Sequence, residues 1–540
     1  METPFPNQPP PYEGRNLYAT DVALQAAVAR AGAAFATAAL ERWGATLGAP
    51  ATYALADAAN RNPPQLAILD RRGERSDTVT FHPAWDALMS LATAAGEHCA
   101  PWDAPGPGAQ AARAAMYFLH AQVENGTQCP LTMTYASVPV LARNGAPPAW
   151  LPRLLARDYD PRPLPIGAKR AALIGMGMTE RQGGSDVRAN RSRAEPAGDG
   201  AWRITGHKWF FSAPQCDGHL VLAQADAGVT CFLLPRINDD GTRNAVRIVR
   251  LKDKLGNRSN ASAEVEFDGA LAHLVGAPGR GIATILEMVQ HTRLDCVIGS
   301  AGMMRGALAW ALHHAAHRVA FGRRLADQPL MTAVLADLAL EAEGATALAM
   351  RVAQTFDAPA DAPDRALARI ATPAAKYWVC KRAPMVAFEA MEVLGGNGYV
   401  EETPLARCYR EAPVNSIWEG SGNVICLDVL RAAQREPAAV AALVAELEGA
   451  RGGNALLDAH VTELSARIQG ARDDPAAGRE LTQAVALALS ASVLVRHAPP
   501  AVADAFCATR LAPRAFAGAA FGALPAGAAA AAIVARARGE

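Results

Sequence analysis

Lysine is scarce in this chain. It stands only at positions 169, 208, 252, 254, 376 and 381, so nearly all positive charge is carried by arginine. Lys+Arg and Asp+Glu are each 52, and a net charge of zero gives no sign of a polyanionic or acidic partner in the bulk composition. The nine cysteines form no C-x-x-C pair and no paired Cys/His spacing. A zinc or other metal site and a disulfide framework are therefore not expected, and a reducing, cytoplasmic compartment is. No run of about 18 strongly apolar residues occurs, so no membrane span is expected. The start, Met1-Glu2-Thr3-Pro4, lacks the basic and apolar regions of a signal peptide. What is plentiful is apolar character, 51% of 540 residues, with alanine the commonest of them. A chain this long exceeds one core, and roughly three to four domains are expected.

The texture along the chain changes three times. Residues 1–17 read as an extended, Pro-rich arm. From 19 to about 155 Ala/Leu-rich helical segments are broken at Asn62-Pro63-Pro64 and Pro105-Gly106-Pro107-Gly108. Short β-type runs follow at 202–204, 208–212, 219–223, 229–234, 245–251 and 263–267, separated by turns such as Asp239-Asp240-Gly241. They predict a small antiparallel sandwich or barrel. Long helical patterns return after Pro278-Gly279-Arg280-Gly281 and run to about 447, with a boundary at Arg451-Gly452-Gly453-Asn454. The expected fold is mostly α with a central β domain. Its domains are a helical one with its arm (1–175), a middle β domain (176–280), a helical bundle (281–449) and an extra helical domain (450–540).

Four segments carry chemistry. Ser416-Ile417-Trp418-Glu419-Gly420-Ser421-Gly422-Asn423 holds a carboxylate with no charged residue among the three before it or the eight after it. Beside an indole a carboxylate loses solvation, which raises its pKa toward that of a general base. Gly420 and Gly422 let backbone approach a flat ligand. Met176-Gly177-Met178-Thr179-Glu180-Arg181-Gln182-Gly183-Gly184-Ser185-Asp186 either offers N–H groups and hydroxyls to an anionic or heteroaromatic edge or is an ordinary Gly-rich turn. In Gly206-His207-Lys208-Trp209-Phe210-Phe211-Ser212, alternation predicts Lys208, Phe210 and Ser212 on one face and Trp209 and Phe211 on the other, against a ligand or in the core. Arg318-Val319-Ala320-Phe321-Gly322-Arg323-Arg324-Leu325, expected in a helical region bent at Gly322, either binds a pyrophosphate or is a solvated basic face.

In this order, and with Leu394-Gly395-Gly396-Asn397-Gly398-Tyr399 ahead of the Glu419 stretch, the segments resemble the acyl-CoA dehydrogenase flavoprotein family over roughly 20–445. Four features resemble its adaptive-response AidB branch: Asn7-Gln8-Pro9-Pro10 with Asn16-Leu17-Tyr18, the 176–186 loop, residues 251–262, and the helical extension past Arg451.

The resemblance implies FAD between the β domain and the second helical domain, and Glu419 as the base that removes a substrate α-proton. Isovaleryl-CoA dehydrogenases place the base just before an arginine on an earlier helix. Here Thr292 precedes Arg293, so Glu419 is the candidate, and Arg293 is expected near the CoA end. Met178, Thr179, Gly184, Ser185, Phe210 and Ser212 are implied to line the flavin, with Trp418, Ser421 and Asn423 beside the base. Arg318 and Phe321 are implied to reach FAD across a subunit interface of a homotetramer, and Glu392 and Gly396 to form a second such segment. Glu392 departs from the usual Gln, and Trp418 from the usual tyrosine. The implied activity is α,β-dehydrogenation of a short branched acyl-CoA of isovaleryl type.

The branch is associated with the response to DNA alkylation, with duplex DNA bound by the C-terminal extension, so the alternative is a DNA-binding protective protein whose flavin site is secondary. Residues 446–540 set Arg451, Arg467, Arg472, Arg479, Arg496, Arg510, Arg514, Arg536 and Arg538 against as many acids. Phosphate binding needs a basic face, which Arg496, Arg510, Arg514, Arg536 and Arg538 would supply if they cluster. The stretch 236–258 is richer in cations, as a phosphate site or a solvated sheet edge. Oxidation of another small acid, such as a nitroalkane, ranks lowest, because relatives with that chemistry carry Asp at the Glu419 position.

Overall fold

The structure, a computed structural model, describes residues 7–359, 361–470, 474–512, 521–524 and 527–539. Arg472 and Arg514 lie outside them. The chain divides into two compact units, one of Ala54–Pro105 and Glu124–Thr292, the other of Met1–Tyr53, Gly106–Val123 and Arg293–Glu540.

The first unit is built on a seven-stranded sheet among the described residues: β3 (Ile174–Gly177), β4 (Arg193–Gly198), β5 (Ala201–Ser212), β6 (Gly218–Ala225), β7 (Gly228–Pro235), β8 (Val246–Leu251) and β9 (Ser262–Val275). β9 pairs with β5, β7 and β8, so the sheet curls into a barrel around Phe211, Val221, Phe232, Val265 and Phe267. Ala263, Val265 and Phe267, two positions apart along β9, all enter this core. The expected antiparallel sheet is in fact mixed, because β3 runs parallel to β6. β3 and β4 escape the sequence pattern, since β3 is glycine-rich and β4 largely exposed.

The alternation expected for 208–212 does not hold. Lys208 pairs with Val265 and Phe211 with Ala263, so three steps on β5 match two on β9. This bulge turns Lys208 and Phe211 to the same buried side and leaves Phe210 48% exposed. A hairpin, β1 (Gln65–Leu69) and β2 (Arg75–Thr80), lies where only helices were expected. Its Leu66 and Val79 pack against the barrel core.

The second unit is helical. The Pro363–Val393 helix is buried over most of its surface by the Pro329–Thr355, Gly422–Arg435, Pro437–Glu448 and Gly478–His497 helices. A helix wrapped on all sides needs small residues, and Ala371, Ala374 and Ala375 provide them. The C-terminal helices, Ala455–Gly470, Gly478–His497, Pro500–Arg510 and Ala530–Arg538, belong to this unit. Arg510 ties them in through buried pairs with Asp337 at 2.7 Å and Glu341 at 2.8 Å.

Residues 318–325 are not a bent helix. The Gly281–His317 helix ends, and β10 (Val319–Ala320) and β11 (Arg323–Arg324) form a hairpin. Its two turn residues, Phe321 and Gly322, both have positive φ, +52° and +75°, as a tight two-residue hairpin turn requires. Among the described residues no helix is long and apolar enough to cross a membrane.

Candidate active site

In the barrel unit, β3 delivers the 176–186 loop alongside β5. Met176 pairs with Ser212, and the Thr179 carbonyl accepts from the Trp209 N–H at 2.8 Å. Met178, Thr179, Phe210 and Ser212 thus meet at one strand end. Gly184 joins them, because a Cβ there would overlap the Thr179 side chain. Ser185 is exposed on the same loop.

The motif glutamate, Glu180, takes no part in that open edge. It is fully buried and accepts from Lys208 Nζ at 2.8 Å, from the Arg191 N–H at 2.6 Å and from the Ser192 N–H at 3.2 Å. Burial alone would raise its pKa, but the Lys208 ammonium and these donors bring it down to about 2. Lys208 also donates to the Leu222 carbonyl at 2.8 Å. Glu180 and Lys208 therefore anchor the loop from behind. Beside the open edge, Lys252 lies 3.6 Å above the Trp209 ring and 4.6 Å above Phe210.

In the helical unit, Glu419 sits in a kink. Its φ is +57°, uncommon for a residue with a Cβ, and Gly420 follows at +107°. Three consecutive carbonyls of this kink are held by two cations. Lys376 Nζ donates to the Trp418 carbonyl at 2.7 Å and the Gly420 carbonyl at 2.6 Å, and Arg293 Nε donates to the Glu419 carbonyl at 2.9 Å. Arg293 is buried and also donates to Asp428 at 2.7 Å, which Arg369 bonds from the other side at 2.9 Å. Burial opposes ionisation of Asp428, but the two guanidiniums hold its pKa below the ordinary value. The Trp418 indole donates to Asn415, which donates to Ser300. Glu419 is part-exposed, and Ile417, two residues before it, is 62% exposed.

The Gly422–Arg435 helix begins at Ser421, whose hydroxyl does not cap it. Its first N–H groups are thus left for another acceptor, as at anion-binding helix starts. Asn423 is exposed and accepts from Arg479 of the extension at 2.8 Å. Within the barrel unit the open aromatic at Phe210 suits a flat ring, and within the helical unit the uncapped helix start at Ser421 suits an anionic group.

Other expected residues lie far from the Glu419 kink. Arg293 and His317 are 24 residues apart on one helix, about 36 Å at 1.5 Å per residue. Arg318 and Phe321 follow that far end. Phe321 is 98% exposed, and Arg318 donates to the Asn7 carbonyl at 2.7 Å. Glu392 lies 16 residues beyond Lys376 on the Pro363–Val393 helix, about 24 Å away. Gly396 is exposed with nothing near its missing Cβ, whereas a Cβ on Gly398 would overlap the Met391 carbonyl. Lys376, Asp428 and the Glu180–Lys208 pair were missed in the sequence. A lone lysine in the apolar run Ala374-Ala375-Lys376-Tyr377-Trp378 was the available signal for the first.

The extension's arginines form no free basic face at three of the five positions considered. Arg496 pairs with Glu446, Arg510 with Asp337 and Glu341, and Arg536 with Glu343. In the 236–258 stretch, Arg247 pairs with Asp268, and Arg250 and Lys252 share Glu264. Among the described residues no group of three or more His, Cys, Asp or Glu side chains could hold a metal.

Three family models match in chain order: the adaptive response protein AidB N-terminal domain over 7–161, the acyl-CoA dehydrogenase middle domain over 175–270 and its C-terminal domain over 279–434. AidB of Escherichia coli (strain K12) is 48% identical over 94% of each chain. Acyl-CoA dehydrogenase family member 11 of Caenorhabditis elegans is 31% identical over 68% of this chain and 62% of its own. The crystal structure of C. elegans ACDH-11 in complex with C11-CoA superposes with a TM-score of 0.86 at 26% identity, covering 95% of this chain and 94% of that one. The apo form of Bd2924 gives 0.83 at 29%, covering 91% and 99%.

Proposed function

This chain belongs to the acyl-CoA dehydrogenase family, in its AidB branch, and from that premise we propose that it α,β-dehydrogenates a short branched acyl-CoA of isovaleryl type with Glu419 as the base. The family is one of oxidoreductases, and its cofactor is FAD. The observation that carries the reading is the Glu419 kink: a part-exposed carboxylate residue in a left-handed conformation, with its own and both flanking carbonyls tied down.

FAD, when bound, supplies an acceptor for the hydride that leaves Cβ. Glu419 takes the proton from Cα, and the electron pair of that C–H bond becomes the second bond of a trans-2-enoyl thioester. A proton moves readily only where base and carbon stay in register, and a kink pinned at three carbonyls keeps that register. Met178, Thr179, Gly184, Ser185, Phe210 and Ser212 would hold the ring system, and Trp418, Ser421 and Asn423 the portion beside the base. Arg293 would act on the base loop itself, since its Nε bonds the Glu419 carbonyl and its Nη1 is held by Asp428, with substrate contact left to the rest of the guanidinium. Arg318, Phe321, Glu392 and Gly396 would serve a second subunit's cofactor, because about 36 Å and about 24 Å of helix separate them from the residues on the kink. Exposed Phe321, Leu330, Phe388 and Tyr399 on the same unit support a homotetramer.

The test of substrate class is a panel of acyl-CoAs, short branched, short straight and C11, each mixed anaerobically with the FAD-loaded protein. Fastest bleaching of the oxidised flavin band by a short branched chain is expected. Preference for C11 would move the substrate toward the ligand of the C. elegans relative.

A second reading, duplex DNA held through 450–540 in an alkylation response, rests on the AidB kinship. The ion pairs of Arg496, Arg510 and Arg536 count against it. Its test is binding of a duplex whose affinity falls with salt and with substitution of Arg467 and Arg479.

A further inference from the structure

Lys376 belongs to none of the sequence motifs, yet it holds two of the three carbonyls of the Glu419 kink. It lies in the middle of the Pro363–Val393 helix and is 1% exposed. A buried ammonium loses hydration worth several kcal/mol unless its protons find acceptors. Among the described residues no carboxylate lies within ion-pair distance of it, in contrast to Lys169 with Asp217 or Lys208 with Glu180. Its acceptors are two backbone carbonyls, of the residues on either side of Glu419. A core lysine needing only satisfaction would find a carboxylate or scattered carbonyls. This one spans the single residue between its two acceptors.

The backbone explains why a brace is needed there. A residue with a Cβ at φ +57° costs on the order of 1 kcal/mol or more against its extended and right-handed alternatives. Gly420 adds a flexible joint next to it. Left alone, such a segment would relax by turning the 418 and 420 carbonyls apart, and the Glu419 side chain would swing with them. One ammonium bonded to both carbonyls fixes their relative orientation. Arg293 fixes the carbonyl between them and is itself fixed by Asp428. Proton abstraction is sensitive to this, since a misplacement of about 1 Å costs about a hundredfold in rate.

We propose that Lys376 is a positioning residue for the reaction: by bonding the carbonyls of Trp418 and Gly420 it holds Glu419 in its left-handed conformation and so aims the base. The proposal rests on Glu419 being the base, and its test separates the two. Lys376→Met keeps the bulk and removes the donors. Hydrogen exchange of the 415–422 amides, read in the FAD-loaded protein without substrate, is expected to speed at least tenfold in this variant while the barrel strands β5 and β9 stay unchanged. The rate of flavin bleaching by the best acyl-CoA is expected to fall about a hundredfold with the half-saturating concentration nearly unchanged, and Lys376→Arg is expected to restore part of it. If Lys376→Met does not fold, Lys376→Gln, which keeps one donating group, carries the same comparison. Unchanged exchange at 415–422, or a loss of protection spread evenly over the helical unit, would overturn the proposal. If no acyl-CoA bleaches the wild type, the dehydrogenase reading fails, and the exchange result still decides whether Lys376 braces the kink.

Discussion

Glu180 and Lys208 form a fully buried ion pair, and what it does differs from what the motif suggests. Removing one charge strands the other in the core, at a cost of about 3–5 kcal/mol. Glu180→Gln is therefore expected to lower stability by that amount in denaturant unfolding and to loosen the 176–186 loop, seen as reduced FAD retention on gel filtration. Because the folded-state pKa of Glu180 is depressed, its stabilisation is present above the ordinary carboxylate pKa and is lost as pH falls toward about 2. At this scale the sequence is legible where a residue type carries its own chemistry. Glu419, isolated between an indole and a glycine, and Phe210, in an aromatic run, are visible without coordinates. Lys376 is not, because its meaning depends on carbonyls more than forty positions away.

The helical elements and most barrel strands follow from periodicity, and the failures share one cause: local backbone geometry decided by a partner. The β5 bulge exists because β9 lacks a matching residue, which alternation within β5 alone cannot reveal. The 319–324 hairpin depends on two consecutive left-handed residues, one of them a phenylalanine. The barrel also carries a pH dependence. His219 stacks on Phe211 at 4.0 Å and bonds the Ala213 carbonyl, and burial pushes its pKa down to about 3. Its folded pKa lies below the unfolded one, so the barrel is expected to lose stability as pH falls from about 6.5 toward about 3. Unfolding midpoints against pH check this, and His219→Phe is expected to flatten the slope over that window. In the extension, Arg510→Leu leaves Asp337 without its buried partner and is expected to cost about 3–5 kcal/mol. Truncation past 450 would remove the same partner, so DNA binding is better probed by point substitutions in the full chain.

At the scale of the whole molecule, tens of ångströms of helix separate the residues on the Glu419 kink from Arg318, Phe321, Glu392 and Gly396. The proposed tetramer would bring that second group to another chain's cofactor. Sedimentation is expected to give a multiple of 56.6 kDa, four-fold for the tetramer. Phe321→Asp is expected to lower both assembly and FAD content; a FAD-replete monomer would contradict the arrangement. Fold class and family were readable because five motifs occur in one order across most of the chain. The exposure of Phe321 and Tyr399 was not readable, since it depends on how the helices pack. The central claim is that Glu419 is the base, and rapid mixing of the FAD-loaded protein with its best acyl-CoA, wild type against Glu419→Gln, tests it most directly. The account predicts bleaching of the oxidised flavin band in the wild type and its loss, by a thousandfold or more on the order expected of a removed base, in a variant that still holds FAD. Equal bleaching in both proteins would contradict it.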